Sequence, residues 1–299
     1  MSKRLGITGS SGFVGHALVH AAKQAGWLVY PFVRRAIASG EAAISWDPAR
    51  GLLDPRDLES LDAVIHLGGA SLFSPWTPKQ RETILRSRID STRLLAVQIA
   101  KAARGPMSLV SLSAVGYYGE TGEERVTEAH APGTGFLSRV CVEWEHAADV
   151  AAEAGIRVVH PRLGIVLDPG GGALKKLVPF VRCGLGAVLG DGQQWMSWIA
   201  LQDCVHAMLA LLEDQEVAGP MNWCAPQALR NCEFVDEIAT SCHRPRWLRV
   251  PGGLLTTVLG DFARELLLSS CFMKQHPWLE GRTPTTLTQV LEEGKASPA

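Results

Sequence analysis

The sequence predicts an α/β protein: a doubly wound parallel sheet in the first part of the chain and a smaller C-terminal lobe after it. Three observations predict this. Apolar runs of strand length alternate with amphipathic segments of helix length as far as residue 165. A glycine-rich turn joins the first run to the first helix. Beyond residue 165 glycines cluster at 170–172, 184, 186, 190 and 192, and the elements shorten.

Leu5–Thr8 reads as the first strand and Phe13–Ala25 as the helix after the glycine turn, with Gly26 ending it. Trp27–Val33 is the second strand, Ala42–Trp46 the third and Ala63–Leu67 the fourth. Thr77 and Pro78 supply an N-cap and a first-turn residue for a helix running to about Ala103. Leu109–Ser113 is the fifth strand, Phe136–Ala154 an amphipathic segment stopped by Gly155, and Ile156–Arg162 the sixth strand. Strands separated by helices of this length imply parallel pairing with helices on both faces and right-handed connections. The expected domains are a dinucleotide-binding domain over 1–165, a smaller, partly interleaved substrate lobe over 166–293, and a flexible tail over 294–299.

Composition narrows the function classes. The 299 residues are 46% hydrophobic, and 29 basic against 30 acidic residues leave a net charge of −1. That balance gives no general attraction to nucleic acid or to an anionic membrane. No uninterrupted apolar run is long enough to span a bilayer. Seven scattered cysteines without a C-x-x-C pair argue against a disulfide framework or zinc site and for a reducing cytoplasm. No metal is expected. The oligomeric state is left open, with a homo-oligomer allowed.

The segment Thr8-Gly9-Ser10-Ser11-Gly12-Phe13-Val14-Gly15 carries the most chemistry. Gly9 permits a tight turn, Gly12 lets backbone approach a pyrophosphate, and Gly15 lets helix and strand pack closely. The helix N-terminus adds unpaired N–H groups and a positive dipole end, so Ser11, Phe13 and Val14 belong to the same cradle. At the end of the second strand, folds selective for NAD place an acid against the ribose 2′-hydroxyl. Here Val33-Arg34-Arg35 stands instead, with no acid nearby. A guanidinium grips a 2′-phosphate, so the expected cofactor is NADP(H).

Taken together, TGSSGFVG at 8–15, SWDP at 45–48, HLGGAS at 66–71 and SRIDSTRLL at 87–95 resemble an atypical branch of the extended short-chain dehydrogenase/reductases. So do SLSAVGYYGETGEE at 111–124, PGGGALKKLVPF at 169–180 and GDGQQWMSWIALQDCV at 190–205. The branch is that of the epimerase family proteins, also described as predicted nucleoside-diphosphate-sugar epimerases. The resemblance implies a Rossmann-type sheet and extends the cofactor site to Leu67, Gly68 and Gly69 and to Gly164, Ile165 and Val166.

The superfamily's chemistry uses a Ser, a Tyr, a Lys four residues after the Tyr, and an Asn on the preceding helix. The Ser is present as Ser113, whereas Leu137 falls at the Tyr position, Cys141 at the Lys position and Arg88 at the Asn position. Leucine transfers no proton, and a thiol near its usual pKa is neutral at pH 7. Arg88 retains a fixed positive charge. Tyr117 and Tyr118 are the nearest replacement acids, and a neighbouring cation would be needed to make either a base. Cys141 reads equally as a buried apolar residue and as a functional thiol. Trp195 and Trp198 read equally as core and as a stacking surface for a flat substrate.

The first functional reading is an NADP(H)-dependent oxidoreductase or epimerase-like enzyme acting on a small molecule. Its catalytic candidates are Ser113, Tyr117, Tyr118, Arg88 and Cys141. The alternative, from another class, is a non-catalytic NADP(H)-binding regulator or sensor, favoured by the missing Tyr and Lys.

Overall fold

The computed structural model describes residues 3–272 and 284–296. The chain divides into two compact units that alternate along the sequence. The first comprises Met1–Ala114, Arg139–Arg162 and Val205–Met221; the second comprises Val115–Ser138, Leu163–Cys204 and Asn222–Ala299.

The first unit holds the sheet. Its elements begin β1 (Arg4–Thr8), α1 (Phe13–Gln24), β2 (Leu28–Val33), β3 (Ile44–Ser45) and β4 (Ala63–His66). Helix α2 (Pro78–Lys101), β5 (Ser108–Ser111) and β6 (Ser113–Ala114) follow. The short β7 (Arg125–Val126) lies in the second unit. The chain then supplies α3 (Phe136–His146), α4 (Asp149–Glu153) and β8 (Arg157–Leu163). The strand order β3-β2-β1-β4-β5-β8 reverses direction at β1, and each neighbouring pair is parallel. This is the doubly wound order expected from the sequence, whose crevice at the carboxyl ends of the strands is the general ligand position.

Local chemistry explains the boundaries. The Thr77 hydroxyl accepts the Gln80 N–H at 3.2 Å, and Pro78 follows it in the first turn of α2. The expected fifth strand is divided at Leu112, whose N–H makes the last β4–β5 ladder bond, to the His66 carbonyl at 3.1 Å, after which β6 pairs with β8. The expected helix over 136–154 is likewise interrupted at Ala147 and Ala148. Phe32, Trp46, Val64, Leu95, Leu109 and Val158 form a core between strands and helices.

The second unit contains β9 (Ile165–Asp168), α5 (Gly172–Arg182), β10 (Ala187–Leu189), β11 (Trp195–Met196) and β12 (Trp198–Ala200). Helix α6 (Leu201–Glu213) and β13 (Gly219–Trp223) return the chain to the first unit, where β13 stands beside β8. The second unit resumes with β14 (Leu229–Arg230), α7 (Asn231–Ser241), β15 (Leu248–Val250) and α8 (Gly252–Leu259). It ends with α9 (Asp261–Leu266), β16 (Cys271–Phe272) and α10 (Leu287–Ala296). Its core gathers Leu167, Leu174, Trp198, Phe234, Ile238 and Leu287. The tail expected from residue 294 continues α10 through 296, and residues 297–299 lie outside the described residues.

Candidate functional site: a dinucleotide cradle and a buried charged cluster

The turn after β1 is shaped by its glycines. Gly9 has φ +64°, a left-handed conformation costly for other residues. The Gly12 N–H closes the turn on the Gly9 carbonyl at 2.9 Å. A Cβ on Gly15 would stand 2.1 Å from the same carbonyl oxygen, so only glycine lets α1 approach the turn this closely. Gly12 caps α1 without a side-chain acceptor, and Ser11 and Gly12 are exposed. The first turn therefore presents backbone donors and the helix dipole to an anion.

Beneath the cradle, Thr8, His66 and Ser91 form a closed network joining β1, β4 and α2. The Thr8 hydroxyl oxygen accepts the Leu67 N–H at 3.1 Å and lies 2.6 Å from His66 Nδ1. Ser91 Oγ donates to the Ser87 carbonyl at 2.7 Å and lies 3.2 Å from His66 Nε2. Hydrogen-bond bookkeeping assigns Nδ1 as acceptor from Thr8 and Nε2–H as donor to Ser91. Burial first, and then the charge of Arg88, hold the His66 pKa down at about 3, so the ring is neutral. A Cβ on Gly68 would press on His66 Cε1 at 3.0 Å, which fixes the path of the Leu67-Gly68-Gly69 backbone over the ring.

Arg88 lies against that backbone from the other side. A Cβ on Gly69 would be 3.0 Å from the guanidinium carbon. Arg88 Nη1 donates to the carbonyls of Ala70 at 3.2 Å and Ile84 at 3.1 Å, and the guanidinium stacks over Trp144 at 5.1 Å. Burial lowers its pKa, and no carboxylate offsets that among the described residues. It nevertheless remains a cation near neutrality.

Ser113 ends in a cluster that the sequence did not announce. Its hydroxyl donates to Glu145 Oε1 at 2.6 Å. Arg162 grips the same carboxylate with both arms, Nε to Oε1 at 2.9 Å and Nη2 to Oε2 at 2.8 Å. Arg162 is 3% exposed and Glu145 13%, so the pair is well shielded from water. Cys141 lies one helical turn before Glu145. Burial, and next the Glu145 charge, push its thiol up to about 12, so it is a neutral thiol and no substitute for a lysine. His160 Nδ1 lies 3.2 Å from the Ser111 carbonyl, and burial lowers its pKa.

At the end of β2 the two arginines differ. Arg35 is clamped by Glu41 through both carboxylate oxygens, a partner that the local sequence reading overlooked. This bond holds the Glu41 pKa down at about 2. Arg34 is exposed and makes no ion pair among the described residues.

The remaining candidates lie in the second unit. Tyr118 is 2% exposed and its hydroxyl donates to Asn222 Oδ1 at 2.8 Å, which corrects the expectation that it is available as an acid/base. The Tyr117 ring meets it edge-on at 5.0 Å. Trp198 is 1% exposed with its indole N–H on the Gln227 carbonyl, so it is core and no stacking surface. The Trp195 ring is covered by Arg230 at 4.2 Å, and Glu123 bonds both side chains. A Cβ on Gly164 would meet the Ser197 backbone at 2.8 Å, and the Ile165 N–H bonds the Ser197 carbonyl at 2.8 Å. Gly164 thus serves the close approach of β9 to β12, with Val166 paired to Ile199.

A parallel sheet reversing at β1, with a glycine turn and an uncapped helix N-terminus at the reversal, defines a dinucleotide-binding α/β protein. Residues 5–223 match the model of the NAD dependent epimerase/dehydratase family, and the chain belongs to that family. An epimerase family protein of Mycobacterium bovis is 40% identical over 263 residues, covering 88% of this chain and 86% of the relative. One from Bacillus subtilis is 33% identical over 87% of this chain and 86% of its own length. The crystal structure of a human epimerase family protein with NADPH superposes with a TM-score of 0.87 at 28% identity, covering 99% of this chain and 100% of that one. MoeE5 in complex with UDP-glucose and NAD shares the fold, with a TM-score of 0.77 at 21% identity over 98% of each chain. Among the described residues no helix is long and apolar enough to cross a membrane.

Proposed function

We propose that this protein binds NADP(H) in the cradle of α1 and acts as an oxidoreductase or epimerase-like enzyme on a hydroxyl-bearing carbon of a small molecule. The Gly9–Gly15 turn would hold the pyrophosphate, Val33 and Arg34 the 2′-phosphate end, and Leu67–Gly69 with Arg88 the middle of the dinucleotide. A bound nicotinamide would supply the hydride donor or acceptor. Arg88 would be the fixed cation beside the dinucleotide, where Cys141 stands at the superfamily's lysine position.

The observation that carries the catalytic reading is the Ser113–Glu145–Arg162 chain. The Ser113 hydrogen is committed to Glu145, and its buried oxygen, which the Cys141 thiol also approaches, keeps a lone pair that would accept a substrate hydroxyl entering beside it. A proton taken there can pass to Glu145, which Arg162 holds in place. This assigns the proton-accepting role to Ser113 and Glu145, with Tyr117 as a rival acid.

The alternative, an NADP(H)-binding sensor without turnover, is favoured by Leu137 and Cys141 at the Tyr and Lys positions. Label transfer separates the two. NADPH deuterated at C4 is incubated with the protein and the small-molecule fraction of a cell extract, and products are read by mass spectrometry. An enzyme moves deuterium into a metabolite, and Glu145→Gln slows the transfer. Tight NADPH binding with no transfer, and no inversion of a metabolite carbon when NADP+ replaces NADPH, supports the sensor.

A further inference from the structure

Charge and exposed apolar surface are concentrated together in the second unit. Segments 172–186 and 243–260 contain Lys175, Lys176, Arg182, Arg244, Arg246 and Arg249 and no Asp or Glu, although the whole chain has a net charge of −1. Arg246 pairs with Asp236. Lys175, Arg182, Arg244 and Arg249 meet no carboxylate among the described residues. The net charge conceals this local asymmetry.

The same segments carry large apolar side chains in water. Phe180 is 60% exposed, Trp247 70% and Val258 71%, and Leu185 and Leu254 are also exposed. They are brought together by the backbone. Parallel pairing of Ala187 with Leu248 sets the residues just before β10 beside those just before β15. Arg244 Nε donates to the Arg182 carbonyl at 2.8 Å, and the Leu185 N–H folds back on the Phe180 carbonyl at 2.9 Å. Trp247 therefore stands next to the end of α5. Leu254 and Val258, four residues apart on one side of α8, are likewise exposed.

We propose that this face docks peripherally on an anionic lipid bilayer. Trp and Phe among aliphatic side chains match the headgroup and acyl boundary, while lysines and arginines face the lipid phosphates. A second copy is disfavoured, because two such faces would oppose like charges. Nucleic acid is less favoured: Phe180 and Trp247 could stack bases, but the exposed aliphatic Leu185, Leu254 and Val258 beside them match an acyl boundary and no base edge. The proposal stands independently of the cofactor reading.

Co-sedimentation of the full chain with phosphatidylcholine vesicles, with and without phosphatidylglycerol, tests it. Binding at least about tenfold tighter to the anionic vesicles is expected, weakening as salt shortens the Debye length. Phe180→Ser with Trp247→Ser, and separately Arg182→Glu with Arg249→Glu, should each abolish sedimentation while leaving the circular dichroism spectrum and NADPH affinity unchanged. Equal binding to both vesicle types, no binding to either, or full binding by the charge-reversed variant overturns the proposal. A concentration-dependent dimer in ultracentrifugation that the Phe180/Trp247 variant dissociates would assign the face to a second copy instead, and retention of an oligonucleotide without vesicle binding would assign it to nucleic acid.

Discussion

Replacing Glu145 with alanine tests the buried cluster most sharply. The substitution removes two charge-assisted bonds from Arg162, at 2.9 and 2.8 Å, and the 2.6 Å bond from Ser113. Arg162, 3% exposed, then loses both of its bonds to that carboxylate in a site shielded from water. Breaking a buried pair from one side costs about 3–5 kcal/mol, whereas replacing both partners by apolar residues is often nearly neutral. For a chain of this size that corresponds to a fall in Tm of roughly 5–8 °C. Ser113→Ala removes one bond and leaves the ion pair intact, so it should cost about 1–2 kcal/mol. A double-mutant cycle with Glu145→Met and Arg162→Met, read by thermal or urea unfolding, should give a large coupling energy, with the double variant more stable than either single one. Glu145→Ala within about 1 kcal/mol of the parent, or additive single effects, would refute the pair as a buried, coupled unit.

Three further predictions follow from the cradle. Gly15→Ala puts a Cβ 2.1 Å from the Gly9 carbonyl, so NADPH affinity measured by calorimetry should collapse, whereas Gly12→Ala, at 3.1 Å, should be milder. His66 has a folded pKa of about 3 against an unfolded value near 6.5, so the unfolded chain binds more protons between those limits. Stability is then complete above about pH 6.5 and declines as pH falls toward 3, with a slope approaching about 1.4 kcal/mol per pH unit; His66→Asn should flatten that slope in melts at stepped pH. Arg88→Leu should weaken NADPH binding by about 1–3 kcal/mol, because a buried cation beside Gly69 is lost, while Cys141→Ala changes little; the reverse ranking would make the thiol the functional group.

The fold was legible in the sequence because its signals are local. Thr77-Pro78 starts a helix, Gly26 ends one, and Gly9-Ser10-Ser11-Gly12 needs only its neighbours to form a turn. The cradle was legible for the same reason. Glu145 and Arg162 were not, because they lie on α3 and β8 and nothing in either segment names the other. The Arg35–Glu41 clamp escaped because a turn, closed by the Glu41 N–H on the Ala38 carbonyl, brings back an acid six residues away. Tyr118 and Trp198 stayed undecided in the sequence because burial, and no feature of their sequence neighbourhood, decides whether an aromatic residue is core or surface.

The central claim is that the end of β2 selects a phosphorylated dinucleotide through Arg34, the arginine that Glu41 does not hold. Calorimetric titration with NADPH and NADH in parallel, on the parent protein and on Arg34→Ala, tests it directly. The account predicts that NADPH binds at least about tenfold more tightly than NADH, through charge-assisted bonds to the 2′-phosphate, and that Arg34→Ala removes most of that ratio. Equal affinities in the parent, or a ratio untouched by the substitution, would contradict it.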